Sequence, residues 1–288
     1  MPDIIVIGLG PAGTSAAVYL CRANRSVLLI GKDYGALEKA ERIENYYGLE
    51  QPLGGAELAR RGVAQAEGLG AQVIMTEVLD LAWEPGGFRL VTAAGEYTAP
   101  CVILATGASR RTLPLPGLAA LEGHGVSYCA VCDAFFYRGR AVGVLGAGEY
   151  ALHEAAHLLP VASQVTLFTN GAPAPQETDP RLTVETQPVT ALEGEEQLSG
   201  VRLEDGRCIA VEGLFIALGS AGAGDFARKL GAGVENGSIV VDSSMQTSVP
   251  GLFAAGDCTG GLLQVATAVG EGAQAAMGAL RFLRQAEQ

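Results

Sequence analysis

Residues 4–13 read IIVIGLGPAG: four consecutive apolar residues, Ile4 to Ile7, running into a glycine-rich turn, Gly8 to Gly13. The apolar run has the length of a buried strand, the stretch from Thr14 to Ala23 reads as a helix, and Val27 to Ile30 reads as a second strand. Strand, glycine turn, helix and strand make one half of a doubly wound nucleotide-binding fold. Within the turn, Gly8, Gly10 and Gly13 fit G-x-G-x-x-G, with Pro11 and Ala12 completing it. Glycines there permit a tight turn and close approach to a pyrophosphate, whose charge the helix N-terminus stabilises. The acid expected at the end of the second strand is missing, because the chain reads Leu29-Ile30-Gly31-Lys32-Asp33. Asp33, two residues late, is the candidate substitute for holding a ribose.

The same pattern recurs at Ala141 to Leu145, Gly146 to Gly148, a helix from Glu149 to Leu159, and Val165 to Phe168. Its turn, Gly146 to Ala151, fits G-x-G-x-x-A, but Tyr150 puts a ring where a small residue would leave room for phosphates. Residues 169–180 read TNGAPAPQETDP, which contains Glu177 and Asp179 and no Lys or Arg. An adenosine 2′-phosphate needs cationic partners there, so NADPH is disfavoured. Two readings stand: a nucleotide site of altered preference, or a nucleotide fold that no longer binds one. The repeat predicts an α/β protein of two Rossmann-like, three-layer domains. Between the repeats lie the strand-like Phe88 to Val91 and Cys101 to Leu104, then Ala105-Thr106-Gly107 and a rigid Leu113 to Gly117 connection. The second unit is expected to close near Gly213 to Gly219, and a helix from about Gln264 to Gln285 is expected to pack on the first domain.

Just ahead of the second repeat stands Cys129-Ala130-Val131-Cys132-Asp133. Two thiols at this spacing can form a disulfide, and a helix start beneath them favours thiolate. Asp133 is placed to shuttle the proton that thiol–disulfide exchange requires. A zinc site needs about four ligands, only His124 lies near, and no metal is expected. The isolated Cys21, Cys101, Cys208 and Cys258 read as small core residues.

The whole chain has 288 residues, 49% of them hydrophobic and 17% charged, which excludes a disordered chain. Its net charge of -12 argues against nucleic acid and anionic membranes as partners. The longest apolar stretches are strand-sized, far short of the ~20 residues that span a bilayer. The opening Met-Pro-Asp carries no basic stretch or cleavage site, so a reducing, cytoplasmic setting is the expectation. There a close cysteine pair means redox or metal chemistry.

At GLGPAG (8–13), ENYYG (44–48), ATGA (105–108), CAVCD (129–133), GAGEYA (146–151) and AAGD (254–257) the chain resembles the low-molecular-weight thioredoxin reductases and related flavoprotein disulfide oxidoreductases. The resemblance implies a discontinuous FAD domain over 1–111 and 236–288, a pyridine-nucleotide-type domain inserted at 112–235, and a homodimer. It implies that Cys132 faces the flavin, that Cys129 exchanges with a thioredoxin-like substrate disulfide, and that Asp133 is the acid–base group. FAD-binding positions carried over are Gly8, Gly10, Pro11, Ala12, Gly13 and Asn45, then Thr106, Gly107, Gly256 and Asp257, and finally Gln264, Val265 and Ala266.

Three segments depart from the family pattern: Gly31, the stretch around Gly35-Ala36-Leu37, and Phe168 to Gly171, where a basic phosphate clamp is expected. The last makes ferredoxin or NADH the expected electron donor rather than NADPH. A ferredoxin is acidic, and residues 112–235 carry seven basic and fifteen acidic groups, net -8, so docking would need a local basic patch; Arg110, Arg111, Arg138 and Arg140 are the candidates. The alternatives are an NADH-dependent flavoprotein reductase or oxidase and a non-catalytic flavin-binding sensor.

Overall fold

The computed structural model describes residues 1–107, 114–128, 130–218 and 222–287, with Val131 and Cys132 described by their backbone. Two compact units emerge, Met1–Arg110 with Gly222–Gln288, and Arg111–Ala221. The chain begins with β1 (Ile4–Ile7), α1 (Pro11–Arg22), β2 (Val27–Gly31), α2 (Gly55–Gly68) and β3 (Gln72–Met75). An antiparallel meander follows, β4 (Val78–Glu84), β5 (Gly87–Thr92) and β6 (Gly95–Ala99), before β7 (Cys101–Leu104) returns to the first sheet.

The second unit contains α3 (Leu118–Leu121), β8 (Val126–Ser127), α4 (Ala130–Asp133), β9 (Ala141–Leu145), α5 (Glu149–Leu158) and β10 (Gln164–Phe168). It continues through β11 (Leu182–Glu185), β12 (Val189–Glu193), β13 (Gly200–Leu203), β14 (Cys208–Ile209) and β15 (Gly213–Ile216). The chain then re-enters the first unit with α6 (Ala223–Lys229), β16 (Val234–Glu235), β17 (Ser238–Ile239), β18 (Leu252–Ala254) and α7 (Val265–Ala286).

In the first unit the parallel sheet runs β18-β7-β1-β2-β3. Apart from the edge strand β3, its strands are buried on both faces, which is why β1 reads IIVI without polar alternation. Ile4 and Val6 join a core with Ala16, Ala17 and Leu20 of α1 and Ala275, Ala276 and Ala279 of α7. Alanines and glycines let these helices approach closely. A Cβ on Gly272 would collide with the Ala12 carbonyl, and Ser15 Oγ donates to the Val269 carbonyl at 2.7 Å. Helix α1 starts at Pro11, three residues earlier than the sequence suggests, because proline's fixed φ suits the first helical position.

The second unit repeats the plan with the sheet β11-β10-β9-β15-β8 and a smaller antiparallel sheet, β12-β13-β14. Re-entry into the first unit comes at Gly222, earlier than the expected 236. The cause is α6: Lys229 forms an ion pair with Asp80 of β4, and the helix packs on β4 and β17. Among the described residues no helix is long and apolar enough to cross a membrane. Of the cysteines expected in the core, Cys21, Cys101 and Cys258 are buried, while Cys208 is exposed on the short strand β14. Burial pushes the Cys258 thiol up to about 12.

Candidate functional site

The first glycine turn is shaped by steric necessity. Gly8 has φ +125°, and a Cβ there would collide with the Ala105 carbonyl, while one on Gly13 would collide with the Gly8 carbonyl. Gly10 differs, because the nearest atom to a Cβ there is the Tyr34 carbonyl oxygen at 4.0 Å. That open space lies at the N-cap of α1, which has no side-chain cap and no acid in its first turn. Backbone N–H groups and the helix dipole are thus left to an external anion, as a pyrophosphate requires.

Sequence-distant residues assemble around this turn. Gly256, with φ +81°, donates its N–H to Glu271 Oε2 at 2.8 Å, and Thr259 Oγ1 donates to the same oxygen at 3.0 Å. Glu271, which motif reading missed, therefore fixes the loop that carries Asp257. The Asp257 carboxylate is half-buried and makes no hydrogen bond with a described residue, so it offers an acceptor to a polyol hydroxyl. Asn45 Nδ2 donates to Gln264 Oε1 at 2.9 Å across 219 residues of chain, and the neighbouring Tyr47, Leu262 and Leu263 are exposed apolar groups. Val265 and Ala266 open α7, whose first turn is also free of acids. Pro11 and Val265 share a cleft of about 320 Å³ with Tyr46. Gly107 has φ +73°, and Thr106 Oγ1 accepts the Ala223 N–H at 2.8 Å, which ties the end of β7 to the start of α6.

The donor set suits an adenine dinucleotide carrying an apolar ring system: two acid-free helix starts, one open glycine, one available carboxylate and an exposed apolar rim. Asp33, the candidate ribose acid, is exposed and braces its own turn. Its Oδ1 accepts the Gly35 N–H at 2.8 Å within its own turn. Lys32 instead pairs with the buried Glu77 at 2.9 Å.

In the second unit, Cys129 lies outside the described residues, as does the side chain of Cys132. The backbone of Cys132 lies in α4, which ends at Asp133. Asp133 Oδ2 accepts the Ser127 hydroxyl at 2.6 Å, so the tip of β8 orients the carboxylate of the residue that follows Cys132 in sequence. Beyond it Phe135 and Phe136 are 71% and 69% exposed, and the Arg138 guanidinium lies 5.5 Å from the Phe135 ring centre.

The second glycine turn is built differently from the first. Glu149 occupies the first turn of α5, so an internal carboxylate stands at the pole where a phosphate would bind. Tyr150, expected to crowd the turn, is buried at 5% exposed. After β10, Thr169 Oγ1 donates to the Ala172 carbonyl, and Asn170 Oδ1 accepts the Val189 N–H. Arg181 follows the acidic segment and grips Asp179 through two nitrogens at 3.0 and 2.7 Å, holding its carboxyl well below the usual range, at about 2. Asp179 is therefore neutralised, a correction to the repulsion expected from residues 169–180 alone. Arg207 is likewise committed to Glu185 and Asp205. Of the basic groups suggested for docking, Arg140 pairs with Glu212 at 3.3 Å, and Arg110 and Arg111 lie outside the described residues.

Comparison with known proteins identifies the family. The family model described as pyridine nucleotide-disulphide oxidoreductase matches residues 2–272. The thioredoxin reductase of Treponema pallidum is 36% identical, covering 98% of this chain and 97% of its own length. The crystal structure of the atypical thioredoxin reductase TRi from Desulfovibrio vulgaris Hildenborough is 42% identical, with a TM-score of 0.92 and 99% of both chains covered. A ferredoxin-flavin thioredoxin reductase from Clostridium acetobutylicum is 32% identical, with a TM-score of 0.75 over 99% of this chain and 98% of its own.

Proposed function

We infer function from the premise that this chain belongs to the pyridine nucleotide-disulphide oxidoreductase family: it is a thioredoxin reductase-like flavoprotein disulfide oxidoreductase. The cofactor is FAD, which supplies two-electron redox chemistry when bound. Gly8, Gly10, Pro11, Ala12 and Gly13 would hold its pyrophosphate at the start of α1. Asp257 would accept a ribityl hydroxyl on the loop fixed by Glu271, and Asn45 with Gln264 would position the ring system beside the start of α7. Thr106 and Gly107 would complete the turn beside it, Gly256 would let the backbone come close, and Val265 and Ala266 would offer the N-terminal turn of α7.

Electrons then pass to a Cys129–Cys132 disulfide. Two electrons and two protons convert it to two thiols, and the Cys129 thiolate attacks the substrate disulfide, forming a mixed disulfide that Cys132 resolves. Asp133, held by Ser127, takes the proton as Cys129 ionises and returns it to the departing substrate thiol. The exposed Phe135 and Phe136 give a folded, thioredoxin-like substrate an apolar surface close to the exchanging pair. A homodimer carrying FAD in a domain made from both chain ends, with the 111–221 region inserted, completes the reading.

The donor in this reading is a reduced protein or NADH rather than NADPH. The observation that carries this is Glu149 at the N-terminus of α5, coupled with Arg181 and Arg207, which are already paired with carboxylates. A reduced ferredoxin or another protein donor fits this arrangement best. NADH is the second reading, favoured by the neutralisation of Asp179, which leaves Glu177 as the acid facing an adenosine in that segment. Anaerobic bleaching of the flavin by matched concentrations of NADPH, NADH and reduced ferredoxin tests both readings. Fast reduction by ferredoxin is expected; fast reduction by micromolar NADPH would overturn the assignment.

A further inference from the structure

Helix α5 carries a second pattern that the glycine turn before it does not account for. Residues 153–157 read His-Glu-Ala-Ala-His, the H-E-x-x-H spacing that puts two imidazoles on one face of a helix, a turn apart. They are two of the three histidines in the chain. The fold brings their Nε2 atoms to 3.1 Å from each other, with the ring centres 4.7 Å apart, and both residues are half-buried. That spacing matches the bite of a metal ion. Zinc bonded to nitrogens at about 2.0–2.1 Å sees them about 3.3 Å apart at a tetrahedral angle and about 2.9 Å apart at a right angle, and the observed separation falls between the two.

We propose that His153 and His157 form a chelating site for a divalent transition ion of the zinc class. Imidazole nitrogen suits such ions, whereas magnesium and calcium take oxygen donors. Binding exchanges the hydrogen bond between the rings for two metal–nitrogen bonds, with each neutral ring carrying its proton on Nδ1. His157 stands in the last turn of α5, where the helix dipole presents its negative pole and favours a bound cation. The remaining coordination positions are open to water.

The acid of the motif has another task. Glu154 is 7% exposed, and its Oε2 accepts the backbone N–H of Ala130 at 2.6 Å. In metal hydrolases that use this spacing the acid is the general base for metal-bound water, which a carboxylate committed to a buried backbone group does not serve. The site therefore binds an ion without hydrolysing peptides. Neither flavin nor disulfide chemistry enters the argument, so the site stands or falls apart from the function proposed above.

The test titrates Zn²⁺ into the flavin-loaded Cys129→Ser, Cys132→Ser, Cys208→Ser protein by calorimetry, which removes the motif thiols and the exposed Cys208 as rival ligands. One ion should bind per chain. His153→Asn and His157→Asn should each weaken binding by about 100-fold, the gain that a second linked ligand brings. His124→Asn removes the third histidine and should change nothing. Absence of Zn²⁺ uptake, or an affinity indifferent to the loss of either ring, would overturn the site.

A second measurement needs no histidine variant. Cu²⁺ bound to the same protein should show coupling to two imidazole nitrogens in its electron paramagnetic resonance spectrum, and a spectrum of oxygen donors alone would overturn the pairing. Zinc-loaded protein should leave a peptide substrate intact; zinc-dependent cleavage would overturn the assignment of Glu154.

Discussion

The two glycine turns share strand, turn and helix and differ in what stands at the helix start. At α1 the first turn has no acid and Gly10 faces open space; at α5 the first turn carries Glu149. A repeated fold has thus been given one external anion to bind and one internal anion to keep. The lesson is that the glycine pattern reports backbone geometry, whereas ligand preference is written in the charges beside it.

The largest expected effect separates the units by task. Cys132→Ser should lower disulfide turnover by at least ~10³-fold, as loss of a nucleophile does, while flavin in the first unit is still reduced. Turnover equal to the parent would show the pair to be structural. Next, Gly10→Val fills the open space at α1 and should weaken FAD by ~100-fold, from crowding of the charge-assisted phosphate contacts. Gly148→Val, at the matching N-cap of α5, should leave flavin content unchanged; the ratio of visible to ultraviolet absorbance reads both. If both variants lose flavin alike, the two turns are not distinct in function.

A smaller effect sharpens the comparison. Glu149→Lys replaces the internal anion of α5 with a cation and should raise the rate of flavin reduction by NADH about fivefold, in line with a helix-pole interaction of ~1 kcal/mol. No gain in stopped-flow reduction would mean that Glu149 is not what bars the nucleotide. The smallest effect belongs to Asn45→Ala. It removes one exposed hydrogen bond to Gln264 and should cost about 1 kcal/mol, or about fivefold, in FAD affinity measured by reconstitution of stripped protein.

The parts of the molecule legible in the sequence are those written locally. Ile4 to Ile7 and Ala141 to Leu145 are runs without a polar side chain that end at glycines, so these strands and the turns after them are visible without the fold. The carboxylates that brace the loops are not. Glu271 reaches Gly256 from 15 residues away and Glu154 reaches Ala130 from 24, and no periodicity or spacing rule links such pairs. Arg181 lies one position beyond the acidic segment 169–180, yet it pairs with Asp179 inside it, because an ion pair depends on distance in space. Cys208 was expected in the core from residue type alone, yet β14 is only two residues long and leaves it exposed. The start of α6 in the first unit depends on Lys229 meeting Asp80, a contact across 149 residues.

Strand β18 completes the first sheet beside β7, and the segment between them includes the whole of the second unit. During synthesis the second unit, being continuous, can collapse as soon as it leaves the ribosome. The first sheet must wait with an open edge at β7 until residues 252–254 emerge, and α1 must wait longer for α7. Long-range closure of this kind is slow and exposes apolar edges meanwhile. Acquisition of yellow colour should therefore lag behind chain elongation and mark the moment at which the two ends of the polypeptide have met.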